Sequence, residues 1–276
     1  MNRIMIAASN TMGQLQKQLD TISNNMANLQ TTGYKKQTVN FSELMYQQIN
    51  TPRNDENRQT PDGIRTGVGA GIAQIQSVMM QGSLVNTGRI LDFALTKDSQ
   101  FFKVLVANGD DTEIQYTRDG AFYLSPIGEN EMALVTSEGH PVLDENNTPI
   151  VFTGNLQDLQ LQADGILLYT NDNGETETFS LGIVQVNKPQ SLERVGSNRW
   201  AVPETLVNTV PLDEIVVNLE GEARQDIGIE QNTLEQSNVN LAEEMTNLLQ
   251  TQRAYQFQAR AITLADQMQG LINGIR

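Results

Sequence analysis

Residues able to carry out chemistry are few in this chain of 276 residues. Cysteine is absent and histidine occurs once, at His140, which excludes disulfides, cysteine nucleophiles and metal sites built from thiolates or several histidines. His140 lies in a turn-like stretch, residues 138–141, where a solvated side chain is expected. We therefore predict no cofactor and no metal site.

Two short stretches resemble ligand-binding loops but lack the residues that bind the ligand. Residues 67–71 (GVGAG) are not followed by the lysine and hydroxyl residue of a phosphate loop. If Gly174 held position six of a calcium loop, Tyr169 and Ser180 would hold positions one and twelve, and neither is a suitable ligand there. A hairpin turn at residues 172–174 is the simpler interpretation.

Carboxylates are numerous in the middle of the chain, but most fall in turns, as at residues 110–111 and 144–145. A hydrolase acting on cell-wall glycan would need an acid and a second carboxylate or an ordered water, and no pair stands out. We predict that the chain is not an enzyme. A glycan hydrolase and a secreted cell-surface binding module that uses the acidic middle remain the alternatives.

The net charge of −15 is concentrated in one part of the chain, since residues 91–209 alone carry −12. Nucleic-acid binding is disfavoured because its affinity depends on lysine and arginine against phosphate. No apolar run is long enough to span a membrane, so no membrane insertion is expected. No secretory signal peptide is visible, because residues 4–8 are too short for its apolar core.

The two ends of the chain carry helical heptad patterns. The N-terminal seam, with steps of three and four, comprises Met5, Ala8, Met12, Leu15, Leu19, Ile22, Met26 and Leu29. The C-terminal seam repeats every seven residues, gains a neighbouring row and then drifts: Leu234, Leu241, Leu248, Tyr255 and Ile262, with Met245 and Ala259, then Ala265, Met268 and Ile272. A long helix cannot bury such a stripe alone, so we expect these two segments to pair.

The period of the pattern changes from seven to two near residue 72. Short alternating runs separated by turn signals predict an antiparallel sandwich or barrel, with strands at residues 72–79, 101–107, 113–118, 121–124, 132–136, 149–152, 166–169, 181–186 and 215–219. Gly33 is expected to end the first helix. Asn240, three residues before Glu243, is expected to cap the last helix.

The predicted fold class is therefore α+β. Residues 1–33 and 236–276 form a terminal coiled-coil layer that serves assembly, residues 34–71 form an extended arm and linker, and residues 72–235 form a β-rich outer domain. The alternative interpretation of the ends is two ordinary core helices of one domain.

Three asparagines flank the first seam, at Asn24, Asn25 and Asn28. Asparagine lowers helix propensity, so three of them in five positions suit a purely solvated helix poorly. We hypothesise that their amides bond to adjacent subunits or to backbone groups near a channel wall. The alternative is that they keep the isolated helix weak.

The two ends resemble the flagellar axial proteins, a family of rod, hook and hook-associated subunits. The resemblance lies in residues 19–28 (LDTISNNMAN), 31–35 (TTGYK), 236–245 (QSNVNLAEEM) and 252–255 (QRAY). The middle adds residues 87–94 (TGRILDFA), 101–102 (FF) and 116–122 (YTRDGAF). This part is most similar to the distal-rod type of the basal body.

The resemblance implies a structural subunit of the flagellar rod that polymerises into a hollow helical tube, transmits torque and lines the export channel. Its expected partners are copies of itself, other axial proteins of rod and hook, and the flagellar type III export apparatus, which exports such chains without a cleaved signal. The expected location is the basal body. The expected assembly interface comprises the seam residues of both ends together with the three asparagines.

Overall fold

The computed structural model describes residues 3–43, 46–49, 64–67, 70–108, 111–128, 130–154, 158–171, 174, 176–207 and 210–274. The helices within these ranges are α1 (Arg3–Ala27), α2 (Glu204–Val207), α3 (Leu212–Ile215) and α4 (Leu241–Gly274). No helix in the described part of the chain is both long enough and apolar enough to cross a membrane.

The strands in the same ranges are short and numerous. They are β1 (Gln37–Glu43), β2 (Tyr46–Ile49), β3 (Ile64–Gly67), β4 (Ala70–Ser77), β5 (Leu84–Asn86), β6 (Phe93–Leu95), β7 (Gln100–Asn108), β8 (Asp111–Thr117), β9 (Tyr123–Pro126), β10 (Glu131–Val135), β11 (Val151–Thr153), β12 (Asp158–Leu161), β13 (Ile166–Thr170), β14 (Thr176–Ser180), β15 (Ile183–Val186), β16 (Glu193–Arg194), β17 (Arg199–Ala201), β18 (Val216–Asn218), β19 (Ile229–Gln231) and β20 (Thr233–Glu235).

The chain divides into two compact units. Unit 1 contains residues 1–27, 37–76 and 240–276, and unit 2 contains residues 28–36 and 77–239. The chain passes between the units four times, because residues 28–36 join unit 2 before the chain returns to unit 1.

Unit 1 is built on the pair α1 and α4. The last turn of α1 meets the first turn of α4 through Asn25 and Glu244, and the two helices contact each other along their length, so they run antiparallel. Two further strand pairs, β1 with β4 and β2 with β3, belong to this unit. Gln14 on α1 accepts a hydrogen bond from the Ile72 amide on β4.

The centre of unit 2 is a six-stranded sheet in the order β16-β17-β8-β7-β15-β18. Consecutive side chains of a strand point to opposite faces. Phe101 and Phe102 on β7 are both fully buried, each in a different apolar cluster, so both faces of the sheet are covered. Phe101 packs edge-on against Trp200, and Phe102 packs edge-on against Phe122.

Smaller antiparallel sheets complete unit 2, in the orders β11-β10-β9 and β12-β13-β14. Two further antiparallel pairs, β6 with β19 and β5 with β20, join strands from opposite ends of the unit's sequence. The first strands of unit 2, β5 and β6, therefore pair with strands that lie more than a hundred residues later in the sequence.

The predicted class, helices at both ends with antiparallel strands between them, is confirmed. The predicted strands at 72–79, 101–107, 113–118, 132–136 and 166–169 correspond to β4, β7, β8, β10 and β13. The strand predicted at 215–219 is shorter, because Ile215 ends α3. Strands β5, β6, β19 and β20, of three residues each, were not predicted, because so few alternations give a weak signal.

The predicted end of the first helix at Gly33 is wrong, since α1 ends at Ala27. Gly33 does have a left-handed backbone, with φ +67°, but it lies in unit 2, where a Cβ atom would come within 2.5 Å of the Asp119 amide nitrogen. Residues 37–43 of the predicted arm are extended, since they form strand β1. Most of residues 50–71 in the predicted arm and linker, including Val68 and Gly69, and residues 172–173 lie outside the described residues.

Candidate assembly interface

The N-terminal seam is shielded within the chain. Ala8 and Ile22 are buried, and the remaining seam residues of α1 are half-buried: Met5, Met12, Leu15, Leu19 and Met26. Leu29 follows the helix and is also half-buried. Half of the exposed positions of α1 are uncharged polar residues and only Lys17 and Asp20 are charged, which permits hydrogen bonds to other protein without the cost of desolvating many full charges.

The shielded face of α4 differs in part from the predicted seam. Its positions follow steps of three and four: Glu244, Leu248, Thr251, Tyr255, Gln258, Ile262 and Ala265. Equal numbers of residues counted from the Asn25–Glu244 contact bring Leu15 level with Ala254, next to Tyr255, and Ala8 level with Ala261, next to Ile262. Three of these positions are polar, which is why a search for apolar residues alone did not trace the whole face.

Four residues that we predicted for the paired seam do not lie on this shielded face. Leu241, Met245, Met268 and Ile272 are all exposed. Leu234, the first member of the predicted heptad series, lies in strand β20, so that series begins before the helix does. Whether these exposed residues contact other subunits stays a prediction.

A second seam follows a different flank of α4. It also has steps of three and four and comprises Ala254, Phe257, Ala261, Leu264, Met268 and Leu271. The large side chains of this second seam are exposed, with 67% of Phe257, 59% of Leu264 and 69% of Leu271 accessible. A helix with two such seams suits a site where partners pack on two sides.

Asn25 joins three parts of unit 1. Its amide oxygen accepts a hydrogen bond from the Gln37 backbone amide at 2.9 Å, and its amide nitrogen donates to the Gln37 carbonyl oxygen at 2.9 Å and to Glu244 Oε2 at 3.3 Å. Asn25 and Glu244 are each 1% exposed. These bonds are made within one chain, so they give this asparagine a role at the start of β1 and in the α1–α4 pair.

The other two asparagines differ from Asn25 in their exposure. Asn24 is exposed, and Asn28 is half-buried and accepts a hydrogen bond from the Thr31 hydroxyl group at 3.1 Å. Their contact with adjacent subunits stays a prediction.

The start of α4 agrees with the predicted cap. Asn240 Oδ1 accepts hydrogen bonds from the backbone amides of Ala242 at 3.0 Å and Glu243 at 3.4 Å. An asparagine in this position satisfies amides that have no partner inside the helix.

Unit 2 contains buried charges that the sequence did not single out. Lys35, Arg118 and Glu235 form one ion cluster, and all three are at most 2% exposed. Lys35 and Arg118 stand within the quoted motifs TTGYK and YTRDGAF, which was the available signal. Glu235 lies 200 residues after Lys35, and no local pattern connects the two.

Asp119 is a buried carboxylate that lines a cavity in unit 2. It accepts hydrogen bonds from the Thr32 hydroxyl group at 2.7 Å, the Ala121 amide at 3.1 Å and the Asn198 amide at 3.0 Å. Burial raises the pKa of this carboxyl above its ordinary range, against these hydrogen bonds. The adjoining cavity, which Glu138 also lines, has a volume of about 10 Å³, room for one water molecule and not for a sugar ring.

His140 Nε2, beside this region, lies 3.4 Å from Glu138 Oε2, and Glu138 pairs with Arg199 at 2.8 Å. Partial burial lowers the pKa of His140, and the Arg199 charge adds to that effect. The part of the chain that the structure describes contains no group of three side chains suited to hold a metal ion.

Comparison with known proteins connects these features to a family. Three family profiles match: "Flagella basal body rod protein" at residues 5–35, "Flagellar hook protein FlgE/F/G D1 domain" at 97–169, and "Flagellar basal body rod FlgEFG protein C-terminal" at 230–275. The chain is also 43% identical over 283 aligned residues to the flagellar hook-basal body complex protein FlhP of Bacillus subtilis (strain 168), with all of both chains covered.

The chain belongs to the flagellar basal-body rod and hook family. It is also 32% identical to the flagellar basal-body rod protein FlgG of Borreliella burgdorferi, with 100% of this chain and 99% of that protein covered. It is 30% identical to FlgG of Bacillus subtilis (strain 168), with 99% of each chain covered. The predicted family is confirmed, and with it the association with the flagellar basal body.

The bounds of the family profiles agree in part with the division of the chain into two units. The profiles at the two ends of the chain cover most of α1 and all of α4, while the third covers β7 and β8 of the six-stranded sheet and the strands from β9 to β13. The N-terminal profile also extends through residues 28–35, which belong to unit 2.

Proposed function

We propose that this chain is a structural subunit of the flagellar rod, which polymerises with copies of itself and with other rod and hook subunits into a hollow helical tube. The tube transmits torque and surrounds the export channel. The chain reaches the rod through the flagellar type III export apparatus and catalyses no reaction. Family membership and the two seams of α4 support this proposal.

The second seam of α4 is the observation that carries the proposal. Its three large exposed side chains, Phe257, Leu264 and Leu271, recur every seven residues. Burying each would contribute about 1.5–3 kcal/mol, part of which is spent on ordering the partner. In a polymer each copy both offers and receives such a contact, so a modest gain per contact is repeated along the rod.

A neighbouring copy of the chain, or a related axial subunit, is the partner that fits this seam. Heptad spacing on α4 calls for another heptad-patterned helix, and unit 1 itself supplies two such helices. The two alternatives from the sequence, a glycan hydrolase and a cell-surface binding module, gain no comparable support. The cavity beside Asp119 and Glu138 holds about one water.

Leu264→Asp tests the proposal, because it places a charge in the second seam without touching the shielded face. Gln256→Asp is the matched control, since it adds the same charge at an exposed position of α4 outside both seams. Cells carrying only Leu264→Asp are expected to export a folded chain but to lack complete rods and motility. Cells with Gln256→Asp are expected to remain motile.

Electron microscopy of purified basal bodies and circular dichroism of the purified chains provide the two measurements. Complete rods containing the Leu264→Asp chain would contradict the proposal. A Leu264→Asp chain that loses helix in solution would point instead to a role of this side chain inside the monomer.

A further inference from the structure

One carboxylate in unit 2 binds two buried cations. Glu235 Oε1 lies 2.6 Å from Lys35 Nζ and accepts the Gly82 backbone amide at 2.8 Å. Its other oxygen, Oε2, lies 2.6 Å from Arg118 Nη2 and also accepts Arg118 Nε at 2.8 Å. The side chains of Lys35 and Arg118 are 0% exposed and that of Glu235 is 1% exposed.

The same place joins the segments by which the chain enters and leaves unit 2. These connectors are residues 28–36, 77–83 and 233–239. The Gly33 amide donates to the Glu235 carbonyl oxygen, and the Gln236 amide donates to the Ser83 carbonyl oxygen, both at 2.9 Å. Glu235, itself in the third connector, thus contacts the other two through its side chain or backbone.

Asn238 reinforces this junction. Its side-chain oxygen accepts the Lys36 amide at 2.7 Å, and its amide nitrogen donates to the carbonyl oxygens of Val78 and Met80, both at 2.9 Å. Lys35 Nζ donates to the Met80 carbonyl oxygen as well. The connectors are therefore held by side chains from residues 235–238, which come last along the chain.

The charges in the junction are unequal. Two cations face one carboxylate, and the remaining donors of Arg118 bond to the carbonyl oxygens of Lys97, Gln100 and Leu95. Burial lowers the pKa of Lys35, and the Arg118 charge acts in the same direction. Without Glu235, both cations would have to leave water with only carbonyl oxygens as partners, which is strongly unfavourable.

We propose that Glu235 is the residue that closes unit 2. If the chain is exported N-terminus first, which rests on the proposed function, it cannot complete this unit until all but its last 41 residues have left the export channel. Lys35 and Arg118 stay hydrated until then, and the N-terminal connector stays open. The chain consequently remains extended enough for translocation for most of its passage. Closure also fixes the course of all three connectors in one step.

Native-state hydrogen exchange of the full chain tests this role. Glu235→Gln keeps the size of the side chain but removes the charge, and we expect local opening of residues 28–36 and 78–83 to become about 100-fold more frequent. Glu230→Gln, an exposed neutralisation on β19, is the matched control and should change opening by less than about twofold. Equal exchange in the two variants would overturn the proposal.

Lys35→Met separates the charge of the junction from simple packing. It leaves one cation, Arg118, paired with Glu235, so the remaining charges balance. We expect much less opening than in Glu235→Gln. If Lys35→Met opens the connectors as much as Glu235→Gln, the carboxylate has no special role and the proposal is wrong.

Refolding of the unchanged chain provides a test that does not depend on any variant being folded. In pulsed hydrogen exchange, the amides of Gly33 and Gly82 should become protected together with that of Gln236, and after those of β7 and β8. Protection of Gly33 and Gly82 before Gln236 would show that the N-terminal connector closes without Glu235, which would overturn the proposal.

Discussion

Units 1 and 2 differ in which side chains they bury and which they expose. Unit 2 buries the ion cluster of Lys35, Arg118 and Glu235 and covers both faces of its central sheet at Phe101 and Phe102. Unit 1 leaves large apolar side chains of α4 in solvent, among them Phe257 and Leu271. Its buried polar junction at Asn25 and Glu244 holds the helix pair and β1.

This difference indicates that unit 2 obtains its stability within one chain, whereas unit 1 reserves apolar surface for partners. Exposed apolar rows of this length are unusual on proteins that function as monomers. The following predictions test the contrast, beginning with the change expected to have the largest effect.

The largest effect should come from removing the first connector of unit 2, residues 28–36, together with the end of the last one, residues 236–239. A fragment of residues 72–235, the outer domain as predicted from sequence, lacks Tyr34 and Lys35, both fully buried, and leaves Arg118 and Glu235 partly uncovered. We expect this fragment to be unfolded or to unfold at much lower urea concentration than residues 28–239. Circular dichroism during urea titration measures the difference.

Residues 28–239 are the control for the shorter fragment, because they contain the junction and the connectors 28–36 and 233–239 but neither terminal helix. Cooperative unfolding of residues 28–239 would show that unit 2 stands without α1 and α4. Equal midpoints for the two fragments would mean that the connectors contribute little, and the contrast between the units would lose its main support.

A pair of alanine substitutions compares the shielded and exposed apolar residues of unit 1. Ile22→Ala removes a buried side chain and should cost the isolated chain about 2–4 kcal/mol. Leu264→Ala removes an exposed one and should cost under about 0.5 kcal/mol in the same measurement. In assembled rods, however, we expect Leu264→Ala to lower stability clearly.

Urea unfolding of the purified chain, followed by the helical signal, gives the first comparison, and dissociation of isolated rods gives the second. If Leu264→Ala left rods as stable as the unchanged chain does, the second seam would not be a subunit contact. A large loss in the isolated chain would mean that Leu264 is packed there after all.

The sequence was sufficient for the patterned parts of this fold and insufficient for its junctions. The heptads gave both long helices, and the alternating runs gave the central strands such as β7 and β8. The end of α1 was placed six residues late because the turn is set by Asn25, which binds the Gln37 backbone, and by residues buried in unit 2. Such effects come from tertiary contacts and leave no periodic signal.

The candidate interface shows the same limit. The shielded face of α4 contains Glu244, Thr251 and Gln258, and polar residues do not register in an apolar pattern. The junction of Lys35, Arg118 and Glu235 brings together charges that are separated by 117 and 200 residues. A single sequence gives no reason to pair these three among all its charged residues.

Asn25 and Asn24 offer a comparison between neighbours. Asn25→Ala leaves the Gln37 amide and carbonyl groups without this partner and should cost unit 1 about 2 kcal/mol. Asn24→Ala changes an exposed residue of α1 and should be neutral or slightly stabilising, because alanine favours helix. Hydrogen exchange of α1 and β1 in the full chain distinguishes the two, and equal exchange would contradict the role assigned to Asn25.

The smallest effect concerns Asp119, a carboxylate that unit 2 buries without a paired cation among its hydrogen-bond partners. Burial raises the pKa of Asp119 in the folded chain above the ordinary value of 3.8. At pH values between 3.8 and this raised pKa, the folded chain binds more protons than the unfolded chain. The stability contributed by Asp119 is therefore present at low pH and falls as the pH rises through that window, by at most about 1.4 kcal/mol per pH unit. Asp119→Asn should remove this component, so the stability of the unchanged chain relative to the variant should decline from pH 4 towards neutrality.

Asp213→Asn, at an exposed carboxylate of α3, is the control and should leave the pH profile unaltered. Urea unfolding at several pH values measures both differences, and a relative stability of Asp119→Asn that does not change with pH would show that the pKa of Asp119 is the same in the folded and unfolded chains.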